Sequence, residues 1–267
     1  KFCSYCIVPH LRGRSRSRPV AEIVAEAKEL AKTTKEIVFT GIDISAFGRE
    51  RGEGLITLVR ALGAADVRKR LGSLECGVID GDFLRALTDS GFCDHLHLSM
   101  QSGSDGVLRR MNRRYTAAEF IRKTQQIRDF MPDCGIMSDI ICGFPGETDA
   151  EFNETLQTLE QIRFGGVHVF VYSERDGTAA AKMPQLPKSV RRERAKIVSE
   201  LTERHKREFL TSQLGKVKDV YVEENGGAFN TGYTSNYIKV YTRAPLKSMT
   251  PHKLNEIYKE GVKGHYE

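Results

Sequence analysis

Residues 135–148 read Gly135-Ile136-Met137-Ser138-Asp139-Ile140-Ile141-Cys142-Gly143-Phe144-Pro145-Gly146-Glu147-Thr148. The run Gly135–Cys142 is apolar and strand-like, the Gly-Phe-Pro-Gly segment breaks it, and a helical pattern follows over Asp149–Ile162. A further β-rich run at Gly166–Tyr172 closes the unit. Strands separated by a helix form a crossover unit and imply a parallel sheet. Outward from this unit the alternation continues. Strand-like runs at Glu36–Thr40, Leu71–Glu75 and His95–Met100 are interleaved with helical patterns at Val20–Lys32, Asp82–Ser90, Ser104–Met111 and Ala117–Phe130. The class is α/β, and periodicity alone leaves a barrel, a partial barrel and an open sheet all open.

After Tyr172 the character changes. Residues 174–189 hold two prolines and a glycine and read as a connector. Val190–Leu210 reads as a charged amphipathic helix, with apolar residues at Val190, Ile197, Val198, Leu201 and Phe209. From about Gln213 the pattern turns to short strands at Val217–Glu223, Gly232–Thr242 and a weaker run near Val262. The expected division is therefore an α/β body over 1–185, a basic linker helix over 186–212, and a small β-barrel over 213–267. Barrels of this size often bind single-stranded nucleic acid.

The 267 residues are 40% hydrophobic and 28% charged, ordinary for a globular protein. No stretch approaches the roughly 18 apolar residues that span a bilayer, and the start has no secretion signal, so no membrane association and a cytoplasmic location are expected. The net charge is +6 and uneven. Residues 1–18 carry Lys1, Arg12, Arg14, Arg16 and Arg18 without an acid, and residues 188–218 hold ten Lys or Arg against four Glu. Such clustering points to a polyanion, or to a solvated helix face and a basic terminus.

Of the cysteines, Cys76, Cys93, Cys134 and Cys142 stand alone and read as buried, inert thiols. Only Cys3 and Cys6 have ligand-like spacing, which serves zinc ribbons, redox pairs and iron–sulfur clusters alike. The absence of a second such pair or a His pair downstream disfavours zinc. His97, His168 and His205 read as core or surface histidines.

The string Phe2-Cys3-Ser4-Tyr5-Cys6-Ile7-Val8-Pro9, continuing to Arg12-Gly13-Arg14-Ser15-Arg16-Ser17-Arg18-Pro19, resembles the cluster loop of radical S-adenosylmethionine (SAM) methylthiotransferases. In that family three cysteines in a C-x-x-x-C-x-x-C loop hold a 4Fe–4S cluster. Cys3 and Cys6 match the second and third, and the first would fall before Lys1. Further matches are Thr40-Gly41-Ile42-Asp43, Glu75, His97 through Asp105, Asp139 through Thr148, and His168 through Ser173 followed by Arg175 and Gly177-Thr178. Residues 232–237 are similar to the TRAM module, an RNA-binding β-barrel, in bacterial enzymes that modify threonylcarbamoyladenosine.

The resemblance implies a partial (β/α)6 radical SAM barrel followed by a small all-β TRAM barrel, with an upstream domain holding an auxiliary 4Fe–4S cluster. It implies that Tyr5, Thr40, Gly41, Glu75, Gln101, Ser102, Asp139 and Phe170 line the SAM site. Arg12, Arg14, Arg16, Arg18, Arg175, Tyr233 and Tyr237 would contact substrate, and no residue is expected to be a dedicated acid or base. The implied partners are a tRNA anticodon stem-loop and an electron donor such as flavodoxin or ferredoxin; oligomeric state is open. The implied reaction is methylthiolation at carbon 2 of N6-threonylcarbamoyladenosine. Rivals are a sister enzyme acting on isopentenyladenosine in tRNA or on a ribosomal-protein aspartate, and a non-catalytic RNA-binding protein. Taken singly, Gly143 and Gly146 also fit plain turn geometry, Asp139 and Gln101 local hydrogen bonding, and the tyrosines core packing.

Overall fold

A computed structural model describes residues 3–266. The α/β body holds the strands β1 (Glu36–Phe39), β2 (Arg68–Leu71), β3 (His95–Gln101), β4 (Gly135–Cys142) and β5 (Gly166–Val171). Its helices are α1 (Val8–Arg12), α2 (Val20–Ala31), α3 (Leu55–Leu62), α4 (Gly81–Asp89), α5 (Asp105–Arg110), α6 (Ala117–Phe130) and α7 (Asp149–Ile162). A long helix, α8 (Lys188–Gln213), leads to β6 (Val217–Asn225), β7 (Asn230–Thr234), β8 (Lys239–Thr242), β9 (Met249–Tyr258) and β10 (Gly261–Tyr266).

β1 pairs with β2, and β3, β4 and β5 pair in that order, all parallel. Bridges Lys69↔Phe92 and Leu74↔Leu98 join the two sheets. The five strands thus form one curved layer in sequence order, as in part of a barrel. The core lies between this layer and its helices: Leu58, Leu62, Leu84, Leu98, Phe120, Ile136, Leu159 and Phe164 are all buried there. Strand residues alternate between this core and the open inner face, on which Met137, Asp139 and Ile141 of β4 are half-buried.

The connecting turns are locally encoded. Thr148 caps α7, its hydroxyl accepting from the Glu151 amide while Glu151 returns a bond to the Thr148 amide. Asp80 and Thr116 cap α4 and α6 in the simpler way.

Three expectations need correction. The second strand lies at Arg68–Leu71, upstream of the expected Leu71–Glu75. Its Arg-Lys-Arg run looks too charged for an inner strand, yet each cation has partners within the chain. Lys69 donates to the carbonyls of Ala65 and Val67, and both arginines reach Glu36. Helix α3 was not expected, although Leu55, Leu58, Val59 and Leu62 have helical spacing and are buried. In the C-terminal region, the run Gly232–Thr242 is two strands around a turn in which Tyr237 has φ 67°. β9 escaped notice because only His252 and Leu254 of its middle turn inward.

The C-terminal strands close as a barrel in the order β10-β8-β7-β6-β9, with β10 pairing β8 in parallel. Val220, Val222, Ile238, Val240, Leu254 and Val262 fill it. It seats on the amino ends of the body's strands: the ring of Tyr237 stacks on His95, the first residue of β3, and Asn236 lies against Gly135, the first residue of β4. Among the described residues no helix is long and apolar enough to cross a membrane.

Candidate active site at the carboxyl ends of the strands

The Cys3–Cys6 segment is a tight turn, closed by the Cys6 amide donating to the Cys3 carbonyl at 3.0 Å. Ser4, between them, anchors it. Its amide donates to Met111 O at 3.1 Å, its hydroxyl to Arg110 O at 2.7 Å, and its carbonyl accepts from the Ala180 amide at 2.8 Å. The turn is therefore fastened both to the end of α5 and to the connector after β5. Cys3 and Cys6 are half-buried free thiols, whereas Cys76, Cys93, Cys134 and Cys142 are buried. Burial pushes the Cys76 and Cys142 thiols up to about 12 and raises Cys93 and Cys134 as well, which keeps all four protonated and inert.

From this turn Tyr5 reaches into the body, edge-on to Phe144 at 6.3 Å. Its hydroxyl donates to Gln101 Oε1 at 3.2 Å and accepts from Arg113 Nη2 at 2.7 Å. Arg113 in turn donates from Nη1 to Glu75 Oε1 at 3.0 Å. Glu75, Arg113, Tyr5 and Gln101 therefore form one chain of hydrogen bonds beside the two thiols. Burial raises the Tyr5 hydroxyl well above its ordinary value, against the opposing pull of the Arg113 guanidinium, so it stays a neutral donor. Gln101 has φ 70°, a backbone conformation that a glutamine rarely adopts and that strains the end of β3.

The other expected SAM-lining residues divide. Thr40 follows β1 and packs against Gly72, where a Cβ would meet its hydroxyl at 2.7 Å. Gly41 has open space beside it. Phe170 is exposed at the end of β5. Ser102 points away from the thiols: it is 1% exposed and its hydroxyl engages Thr155 Oγ1 and the Ser104 amide. Asp139 stands between two histidines, His97 Nε2 at 3.0 Å and His168 Nδ1 at 3.4 Å. Read from the sequence only as core or surface residues, the two histidines thus share one carboxylate. The partners come from neighbouring strands, so only the sheet register brings them together. Arg113 too was missed, since one arginine in an Arg-rich stretch carries no signal.

Among the expected substrate contacts, Arg12, Arg14 and Arg16 are exposed and make no ion pair with the described residues. Arg18 pairs with Glu22 and Glu26, and Arg175 is exposed on the connector after β5. Tyr233 and Tyr237 lie at the opposite ends of the strands from Cys3 and Cys6. Their rings stack at 4.8 Å, and Tyr237 also stacks on His95 at 4.4 Å with the Arg70 guanidinium 5.1 Å from its centroid. Two arginines of α8 expected on a basic surface are buried. Arg191 donates to the carbonyls of Leu186 and Tyr172, and Arg194 pairs with Glu147 and Asp149. They bind α8 to the Gly143–Thr148 turn. Arg192, Lys196 and Arg207 remain exposed.

The donor set fits an iron–sulfur cluster: two soft thiolate ligands on one rigid turn, beside a strained strand end and a hydrogen-bonded tyrosine. Over 245 residues the chain is 38% identical to the threonylcarbamoyladenosine tRNA methylthiotransferase MtaB of Rickettsia prowazekii, covering 89% of this chain and 57% of that protein. It is 39% identical to the tRNA-2-methylthio-N(6)-dimethylallyladenosine synthase of Acetivibrio thermocellus, covering 83% and 48%. The chain thus spans about half the length of the curated relatives it matches. Among solved structures, the Escherichia coli coproporphyrinogen III oxidase HemN, a radical SAM enzyme, aligns with a TM-score of 0.54 at 14% identity, covering 96% of this chain and 64% of that one. Methylornithine synthase (PylB) aligns with a TM-score of 0.53 at 15% identity, covering 77% and 59%. At such identities these two matches show the fold alone. The family model of the Radical SAM superfamily matches residues 1–159, more than half of the sequence and all of the cysteine turn, so the chain belongs to that superfamily.

Proposed function

We propose that this chain is the catalytic portion of a tRNA methylthiotransferase acting on carbon 2 of N6-threonylcarbamoyladenosine. The observation that carries the reading is the Cys3–Cys6 turn at the carboxyl ends of a parallel strand layer, held next to Gln101 through Tyr5. Cys3 and Cys6 would hold two corners of a 4Fe–4S cluster. Such a cluster with bound SAM supplies a 5′-deoxyadenosyl radical able to break a C–H bond too inert for acid–base chemistry. The electron comes from a small donor such as flavodoxin or ferredoxin.

The protein's own residues have simpler tasks. Tyr5 and Gln101 present fixed hydrogen-bonding groups to the ligand, and Arg113 and Glu75 fix Tyr5. Phe170 offers an apolar face, and Thr40 and Gly41 form a low rim where a ligand can approach the backbone. The exposed Arg12, Arg14 and Arg16 run beside the thiols and suit an RNA backbone. The substrate choice rests on extent of similarity. The matches to threonylcarbamoyladenosine enzymes cover 89% of the chain, and those to dimethylallyladenosine enzymes 83%, at comparable identity.

The test uses the protein reconstituted anaerobically with iron and sulfide. It should release 5′-deoxyadenosine from SAM and methylthiolate tRNA bearing the threonylcarbamoyl group. Activity only on dimethylallyladenosine tRNA would move the enzyme to the sister branch. Tight tRNA binding without 5′-deoxyadenosine release would leave an RNA-binding protein. Replacing Arg14 and Arg16 by Ala should make the log–log salt dependence of tRNA binding shallower by roughly 1.5 units, as expected for two lost phosphate contacts.

A further inference from the structure

His97 on β3, Asp139 on β4 and His168 on β5 come from three adjacent strands and all face the inner side of the layer. One donor atom from each lies within 4.8 Å of the other two. The nearest approaches are 3.0 Å between His97 Nε2 and Asp139 Oδ2, and 3.4 Å between His168 Nδ1 and Asp139 Oδ1, so each imidazole faces a different oxygen of the carboxylate. Hydrogen bonding is the simplest account of such contacts, and the His97 contact does not meet it. His97 Nε2 is buried and makes no hydrogen bond, despite a carboxylate oxygen at 3.0 Å. Elsewhere in the chain, at the same 3.0 Å, His205 Nε2 and Glu160 Oε2 are aligned as a hydrogen bond. The nitrogen of His97 and the carboxylate of Asp139 therefore sit side by side instead of pointing at each other.

Atoms arranged in this way suit a common third partner. Ligands on an ion with bonds of about 2.0–2.2 Å stand roughly 3–3.5 Å apart, the spacing of each imidazole from its own oxygen of Asp139, so a carboxylate bound through both oxygens meets it on both sides. Two imidazoles and one carboxylate are a borderline nitrogen and oxygen set, suited to late first-row divalent ions and unlike the thiolates of Cys3 and Cys6. We propose that His97, Asp139 and His168 form a second metal site, for a divalent ion of the Zn²⁺ or Fe²⁺ class, on the inner face of the strand layer. The two imidazoles also line a cavity of about 550 Å³ that runs toward the C-terminal barrel, past Met137 and Tyr237. The unfilled coordination positions open to that cavity and accept water or an anionic oxygen. This site is carried by the histidine geometry and stands apart from the tRNA reading.

The experiment uses the chain with Cys3→Ser and Cys6→Ser, which removes the two half-buried thiols that would also take up metal. After treatment with a chelator, it is titrated with Co²⁺ and with Zn²⁺ by calorimetry and visible absorption. One equivalent of Co²⁺ should bind, with d–d bands of nitrogen and oxygen ligation and no thiolate charge-transfer band. Adding His168→Ala should weaken binding about 100-fold or more, since loss of a direct ligand exceeds the 10–100-fold cost of losing a supporting group. Asp139→Asn should do the same. His168 is largely exposed, so its replacement keeps the fold, and circular dichroism checks this. The absence of stoichiometric binding, or binding undiminished in both variants, would overturn the site.

Discussion

The two ends of the same parallel strands use charged and aromatic side chains in opposite ways. At the amino ends, Arg70 is 2% exposed and donates to the carbonyls of Thr234 and Ser235 and to Glu36, while Arg68 donates to the carbonyl of Tyr233. These arginines clamp the β7–β8 turn, and Tyr237 of that turn stacks on His95. At the carboxyl ends, Arg113 joins Tyr5 to Glu75 beside two half-buried thiols, and Gln101 holds a strained backbone. One end is a joint whose two arginines are engaged within the chain. The other stays partly open, its polar groups fixed in place yet adjacent to ligand-ready sulfur. Residue type does not separate the two roles; what each side chain is bonded to does.

The largest expected effect would break the joint. Arg70→Ala leaves Glu36 buried without one of its partners and frees two carbonyls, which should cost about 3–5 kcal/mol of stability. Urea denaturation measures it. A loss below about 1 kcal/mol would mean that the arginine is incidental to docking of the barrel.

The joint should also respond to acid. Burial, aided by the nearby Arg70 charge, pushes the His95 imidazole down to about 3, so the folded protein keeps it neutral. The unfolded chain takes up that proton near the ordinary value of about 6.5. Stability from this residue is therefore complete above that pH and declines as pH falls toward 3. His95→Phe should flatten this part of a stability–pH profile, and an unchanged slope would remove His95 from the account. No such dependence is expected from replacing Gln101 at the other end.

The smallest effect concerns the open end. Gln101→Ala removes one hydrogen-bonding partner of Tyr5 and should weaken SAM binding by about 1 kcal/mol in the cluster-loaded protein. Calorimetry reads this, and unfolding by urea should be nearly unchanged. If stability falls instead while SAM affinity holds, Gln101 belongs to the packing of the β3 end and not to the ligand.

Much of this protein was legible in the sequence because local chemistry encodes it. The alternation of strands and helices, the inert isolated cysteines and the Cys3–Cys6 turn all depend on neighbours within a few residues. The resemblance to methylthiotransferases rested on such short strings as well. Tertiary structure decided what long-range pairing controls. Arg68-Lys69-Arg70 is an inner strand only because Glu36 and the carbonyls of a distant turn receive its charges. Arg191 and Arg194 look like a basic surface in the sequence, but they are buried brackets for α8. Tyr233 and Tyr237, which the sequence offered to RNA, fill a joint between the two barrels. Asp139 meets His97 and His168 only through the register of three strands. Burial and pairing across many residues leave no periodic trace, since each contact is set by a partner that the local sequence does not contain.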